Sequence, residues 1–110
     1  MPVVPEGLIE DAARRFALLS DPTRLRLIST LHEAGEMSSG ELAELAGVSA
    51  ANTSQHLSRL LSGGIVARRR EGTSIRYRIV DGTIEHICRI VCARLEEPSV
   101  QTATSGRGAT

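Results

Sequence analysis

The spacing of apolar and polar residues divides most of the chain into helices. Between Glu6 and Leu19, apolar side chains recur every three or four positions, which is the period of an amphipathic helix. Asp21 and Pro22 then restart the pattern, because an aspartate suits the N-cap of a helix and a proline its first turn. We expect this second helix to end at Gly35. Its apolar positions are Leu25, Leu27, Ile28 and Leu31.

Two further helices follow, and a glycine separates them. Ser38 and Glu41 have the spacing of a capping box, which opens a short third helix that ends at Gly47. Ser49 is expected to cap a fourth helix that runs to about Ser62. Two helices joined by a tight turn that contains glycine are typical of a helix-turn-helix.

The remaining pattern is two strands and one more helix. Ile65–Arg70 and Ile75–Val80 are rich in β-forming residues, and the glycine-containing segment between them predicts a hairpin. Asp81 is expected to cap the last helix. The pattern therefore predicts a mainly α fold with a β-hairpin wing, a winged helix-turn-helix, as one domain over residues 1–97. Residues 98–110 are rich in Ser, Thr and Gly and are expected to form a disordered tail.

Composition narrows the class of protein. Of 110 residues, 41% are apolar but only 2% are aromatic, so the core must be aliphatic and small, and it would gain from dimerisation. We expect no membrane span and no signal peptide, and the two cysteines do not make a disulfide framework; the expected location is the cytoplasm. No phosphate-binding glycine loop and no nucleophile–base pair is present, so we do not expect an enzyme.

The charges are segregated along a chain whose formal net charge is zero. Residues 46–80 carry six arginines against a single acidic residue, Glu71, whereas acidic residues outnumber arginines on either side. A positive block of this kind is expected on a protein that binds a polyanion, and two copies in a dimer would double it.

The outward face of the fourth helix carries short polar side chains that can read base edges in a DNA major groove. The candidates on this helix are Ser49, Asn52, Thr53, Ser54, Gln55, His56 and Arg59. Five wing arginines are candidates for phosphate contacts: Arg68, Arg69, Arg70, Arg76 and Arg78. Strand alternation places Arg68 and Arg70 on one face of the hairpin and Arg69 on the other.

The chain resembles the ArsR/SmtB (arsenic-repressor) family of bacterial transcription regulators over roughly residues 8–95. The resemblance lies in "LSDPTRLRLISTL" and in "ELAELAGVSAANTSQHLSRLLSGGIVARRREGTSIRYRI". It implies a homodimer that pairs through its first and last helices and binds near-palindromic promoter DNA. It also implies the DNA-binding roles given above, and in many members an inducer that releases the DNA.

The metal sites of the family are only partly matched. The third helix, "SSGELAELAG", lacks the cysteines of the thiolate site. On the last helix, Asp81 and Glu97 match the other site in residue type, but Thr83 and Arg94 stand where the resemblance implies histidines. Without imidazoles, two carboxylates hold a transition metal poorly.

The last helix carries its own candidate ligands, His86, Cys88 and Cys92. The two cysteines are four residues apart and share a helix face, so they could chelate a metal ion, with nickel or zinc favoured. Three alternatives stay open: the cysteines pack as small apolar side chains, they act as a redox pair, or a second regulatory protein supplies the metal site.

Overall fold

The computed structural model describes residues 2–97 as two compact units, one ending at Val80 and one beginning at Asp81. The predicted tail at 98–110 lies outside the described residues. A 3-10 turn at Glu6–Leu8 precedes the first α-helix. The first unit contains α1 (Ile9–Leu19), α2 (Pro22–Ala34), β1 (Glu36–Ser38), α3 (Ser39–Ala46), α4 (Ala50–Ser62), β2 (Val66–Glu71) and β3 (Ser74–Ile79). The second unit contains α5 (Gly82–Leu95).

The four predicted helix caps are confirmed. Each cap is a side-chain oxygen that accepts a hydrogen bond from a backbone N–H two or three residues further on. The donor–acceptor distances are 3.0 Å from Arg24 to Asp21, 3.2 Å from Glu41 to Ser38, 3.1 Å from Asn52 to Ser49 and 3.0 Å from Thr83 to Asp81. The capping box of α3 is complete, because Glu41 Oε1 also accepts from Ser38 N at 2.9 Å.

Aliphatic side chains from α2, α3 and α4 form the core of the first unit. Leu25, predicted to be buried, is 39% exposed, because it lies about a third of a turn around the helix axis from Leu31. Leu45 of α3 is also exposed. The fully buried core residues include Leu27, Leu31, Leu42, Leu57, Leu60 and Ile65.

The sheet has three strands rather than the two that the sequence predicts. Its order is β1-β3-β2, with every pair antiparallel. The added strand β1 is only three residues long, and it forms because Met37 is buried while its neighbours pair with the free edge of β3. The β2–β3 turn is tighter than predicted, with Gly72 at a φ of 63° that favours glycine.

The turn between α3 and α4 sets the direction of α4. Gly47 adopts the left-handed conformation, with a φ of 69° and a ψ of 34°, and ends α3. Ala50 begins α4 three residues later, so the two helices form the predicted helix-turn-helix. Within residues 2–97, no helix is long and apolar enough to span a membrane.

Candidate nucleic-acid interface

Helix α4 has one buried face and one exposed polar face. Leu57 and Leu60 are each 1% exposed, whereas Asn52, Gln55 and Arg59 are exposed. Within residues 2–97, the side chains of Asn52, Gln55 and Arg59 have no hydrogen-bond or ion-pair partner. Ser54 is also exposed, and the Ser49 hydroxyl caps the helix. The exposed face is therefore available to an external partner that offers hydrogen-bond donors and acceptors.

Thr53 does not belong to this face. Its side chain is fully buried, and within the described part of the chain its Oγ1 has no hydrogen-bond partner. The prediction that Thr53 reads DNA is wrong, because Leu57 and Leu60 follow it at the spacing that places all three on one helix face.

Thr53→Val is expected to raise the free energy of unfolding by about 1 kcal/mol, because valine keeps the shape and removes a buried, unpartnered hydroxyl. Chemical denaturation measures this change. DNA affinity is expected to stay unchanged. A variant that unfolds like the parent but binds DNA more weakly would return Thr53 to the contact set.

His56 lies between helices rather than fully on the exposed polar face of α4. Its ring is half-buried, and its Nδ1 is 3.4 Å from Nη1 of Arg24. Arg24 Nε also donates to the carbonyl oxygen of Leu18 at 2.8 Å, and Nη2 donates to that of Ala17 at 3.3 Å. One guanidinium thus joins the end of α1, the start of α2 and the middle of α4. With Nδ1 accepting from Arg24, the Nε2–H of His56 remains as a donor.

Two of the five wing arginines are held by carboxylates of the protein. Arg69 Nη2 is 2.5 Å from Glu36 Oε1 and 2.6 Å from Glu71 Oε2, and its Nε donates to Glu36 Oε2 at 3.0 Å. Arg76 Nη1 lies 2.7 Å from Glu41 Oε1, and its Nε is 3.7 Å from Glu36 Oε1. These pairs tie β2 and β3 to β1 and to the start of α3.

The other wing arginines, Arg68, Arg70 and Arg78, are exposed. Arg69 lies opposite Arg76 in the register, and Arg78 is on the same face. Arg68 and Arg70 lie on the other face, as strand alternation requires. Within residues 2–97, neither Arg68 nor Arg70 has a hydrogen-bond or ion-pair partner. The positive charge of the wing therefore divides into a paired and an unpaired set.

The carboxylates proposed as metal ligands have partners of their own. Asp81 Oδ1 accepts from the backbone N of Thr83 at 3.0 Å and from its hydroxyl at 2.5 Å. Glu97 pairs with Arg94. His86 is exposed on α5.

The two cysteines are free thiols, with Cys88 half-buried and Cys92 exposed. Burial, and to a smaller extent Cys92, raises the pKa of the Cys88 thiol above its ordinary value. Over residues 2–97, no three His, Cys, Asp or Glu side chains come together where they could hold a metal ion. Within this range, one chain does not bring the predicted ligands together, and the nickel or zinc site stays a prediction.

Comparison with known proteins identifies relatives of this chain. A helix-turn-helix domain model matches residues 19–69. The chain is 43% identical over 72 residues to a probable mercury resistance operon repressor of Streptomyces lividans, covering 66% of this chain and 57% of that protein. It is 36% identical over 93 residues to the biofilm growth-associated repressor of Xylella fastidiosa, covering 81% of each.

A solved structure agrees along most of the chain. It is the homodimeric winged helix-turn-helix DNA-binding domain of a possible ArsR-family transcriptional regulator from Mycobacterium bovis. The TM-score is 0.73 at 29% identity, covering 88% of this chain and 92% of that one. The chain belongs to the ArsR family. This ArsR-family chain has the winged helix-turn-helix fold, and it spans little more than half the length of the mercury resistance repressor.

The sequence of this ArsR-family chain does not predict that Glu36 and Glu41 bind wing arginines. Glu36 and Glu41 belong to β1 and the start of α3, and they lie more than thirty residues before the arginines that they bind. Only the pairing of β1 with β3 brings them together. The sole local signal was the Ser-x-x-Glu spacing, which identified Glu41 as a capping residue.

The pairing of Glu36 predicts a dependence of stability on pH. The Arg69 hydrogen bonds lower the pKa of Glu36 from its ordinary 4.5. A lowered carboxyl pKa stabilises the fold at pH values above the unfolded-state value, and this stabilisation is lost as the pH falls through the folded-state value. Glu36→Gln should therefore lower the melting temperature at about pH 7, and lower it by less at about pH 3. An equal difference at both pH values would contradict this role of the ion pair.

Proposed function

We propose that this ArsR-family chain is a transcription regulator that binds promoter DNA as a homodimer through α4 and the wing. The exposed face of α4 carries this proposal, because its amide and guanidinium groups have no partner in the described part of the chain. An α-helix fits the major groove, and Asn and Gln amides can bond both polar atoms of an adenine edge. Asn52 and Gln55 are therefore the proposed base-reading residues.

Phosphate contacts complete the proposed interface. Arg59 on α4 and the wing residues Arg68, Arg70 and Arg78 are exposed cations. Arginine binds phosphate with two parallel hydrogen bonds, and each phosphate contact makes affinity more sensitive to salt. The backbone N–H groups at the start of α4, together with Ser49 and Ser54, are further phosphate donors. Arg69 and Arg76 are assigned to holding the wing in place instead.

A homodimer is supported by the apolar surface of two helices. No residue of α1 is buried, and it exposes Ile9 and Phe16 on one face. Helix α5 leaves Val91 and Leu95 about half exposed. Exposed apolar faces of this kind usually bind another protein surface, and the Mycobacterium bovis domain is homodimeric. We therefore propose pairing through α1 and α5.

Phe16→Glu tests this pairing. The variant is expected to shift the protein from dimer to monomer in sedimentation velocity, because dimerisation would bury a charge in an apolar contact. Glu33→Ala, at an exposed site on α2, is the control and should stay dimeric. A dimeric Phe16→Glu variant would show that the two subunits pair elsewhere.

Selection from a pool of random-sequence duplexes tests the DNA-binding function. The protein should enrich a near-palindromic site, since a two-fold dimer presents two copies of α4. Fluorescence anisotropy should then show tighter binding to this site than to a shuffled duplex, with both affinities falling as salt rises. Equal affinity for the two duplexes, or no binding at all, would contradict the proposal.

A metal response is the second part of the proposal. Cys88 and Cys92 are four residues apart on the apolar face of α5, and a dimer would contribute two such pairs. Because no third His, Cys, Asp or Glu ligand joins the two thiols within residues 2–97, we favour a soft metal ion over the nickel or zinc that the sequence predicts. The Streptomyces lividans relative is a probable mercury resistance repressor. Because residues 2–97 of one chain do not assemble a site, we propose that ligands from both subunits hold the ion.

Titration of the reduced protein with Hg(II), Zn(II) and Ni(II) in separate arms tests this response. The expected result is a thiolate–metal absorption band with Hg(II) and release of the DNA, both lost in a variant with Cys88→Ala and Cys92→Ala. If the double variant responds like the parent, the cysteines only pack. DNA binding that no metal changes would transfer sensing to a redox signal at the thiols or to a second regulatory protein.

A further inference from the structure

A cleft of about 720 Å³ lies between α1 and the second half of α4. The α1 side contributes Leu18 and three charged residues, Asp11, Arg14 and Arg15. The α4 side contributes two serines and Arg59, and ends at Gly63. The full lining is Asp11, Arg14, Arg15, Leu18, Ser58, Arg59, Ser62 and Gly63.

Gly63 lies against Leu18 at one end of this cleft. A Cβ at this position would push aside the end of the Leu18 side chain, so the missing side chain leaves room for Leu18 beside the end of α4. The lining holds three arginines and one carboxylate. Asp11, Arg14 and Arg15 share the α1 side, where Asp11 is paired with Arg14, and Arg59 lies on the α4 side. The lining therefore carries an excess of positive charge and two hydroxyl donors.

The cleft is continuous with the proposed reading face. Ser58, Arg59 and Ser62 lie on the exposed side of α4, one and two turns beyond Gln55. The side chain of Arg59 belongs to both surfaces. An extended anion that follows α4 past its reading residues would therefore reach α1.

We infer that this cleft binds the DNA sugar–phosphate backbone next to the bases that α4 reads, and that Arg14 and Arg15 of α1 bind its phosphates. The inference rests on the proposed function and adds α1 to the interface. DNA is favoured over a small anion because Arg59 belongs to both the cleft and the exposed face of α4, so one extended polyanion can contact both. Ser58 and Ser62 donate to the same backbone, and Asp11 opposes binding.

The test compares three α1 variants on the selected duplex and on a random-sequence duplex, by anisotropy over a range of salt concentrations. The double variant R14Q/R15Q is expected to bind both duplexes about ten-fold more weakly at low salt, with a salt slope shallower by roughly two to four for the dimer. The variant R14K/R15K should keep most of the slope, because lysine keeps the charge. Asp11→Asn should bind a few-fold more tightly, roughly two to five times, since it removes a negative charge and frees Arg14.

Arg89→Gln is the matched control, because Arg89, like Arg14, is an exposed helix arginine paired with a carboxylate of its own helix. It should leave the salt slope unchanged, and melting temperatures should show that all variants fold. Phosphate-ethylation interference then locates the contact: R14Q/R15Q should lose interference at phosphates flanking each half-site and keep it elsewhere.

Two results would overturn the inference alone. The first is an R14Q/R15Q variant with the affinity, slope and interference pattern of the parent. The second is inorganic phosphate that, at constant ionic strength, binds the parent but not the double variant while the interference pattern stays the same; the cleft would then hold a small anion. In both cases the parent still binds duplexes, so the proposed function stands without this cleft. A parent that binds no duplex would remove the proposed function itself, and the inference with it.

Discussion

Gln55→Ala is expected to lower the affinity for the selected DNA site by about 1–3 kcal/mol, roughly five-fold to more than a hundred-fold, and to relax the base preference at one position of each half-site. The Gln55 side chain is exposed and has no partner within residues 2–97. Its removal should therefore leave the fold intact, and the loss should come only from base contacts. Repeating the duplex selection with the variant measures the preference directly.

Affinity for the shuffled duplex separates base reading from phosphate binding. Gln55→Ala should bind that duplex as tightly as the parent, because phosphate contacts are independent of sequence. Glu33→Ala is the control, since it removes an exposed side chain from α2 without altering α4. Equal losses on the selected and shuffled duplexes would refute base reading by Gln55.

Substitutions of the neighbouring wing residues Arg70 and Arg69 are expected to have opposite effects on DNA binding and on stability. Arg70→Gln should weaken binding to selected and shuffled duplexes alike and make the salt slope of the dimer shallower by about two, because each subunit loses one phosphate contact. Its melting temperature should stay that of the parent. Arg70 has no partner in the described part of the chain, so the fold loses nothing when its charge is removed.

Arg69→Gln should instead lower the melting temperature and change the salt slope little. The substitution leaves Glu36 and Glu71 without the guanidinium that binds both. The two variants remove the same charge from adjacent positions of one strand and serve as controls for each other. A slope that falls equally in both would show that DNA competes successfully for Arg69, and the division of the wing into paired and unpaired arginines would be wrong.

Local signals in the sequence predicted most of the fold. The caps at Asp21, Ser38, Ser49 and Asp81 lie within three residues of the groups that they bind, so spacing alone identifies them. Helical periodicity gave the helices for the same reason. Strand β1 was missed because three residues are too few to establish an alternating pattern, and its formation depends on an edge of β3 about forty residues away in the sequence.

The sequence predicted the elements of the candidate site, α4 and the wing, more accurately than the surroundings of the individual side chains. Polarity placed Thr53 among the DNA readers, but its position on α4 relative to Leu57 decides its burial. Charge alone could not distinguish Arg69 from Arg70, because Glu36, one of the two carboxylates that bind Arg69, belongs to β1. Likewise, the contact of His56 with Arg24 joins residues from different helices and has no signal in the sequence around either one.

The separation of the two faces of α4 bears on how such regulators diverge. Thr53, Leu57 and Leu60 hold the helix in the core, whereas Asn52 and Gln55 have no role in folding that the structure shows. On the proposed interface, substitutions on the outer face therefore change which operator is bound without passing through an unstable intermediate. After gene duplication, two copies of such a chain could acquire different target promoters while keeping one scaffold.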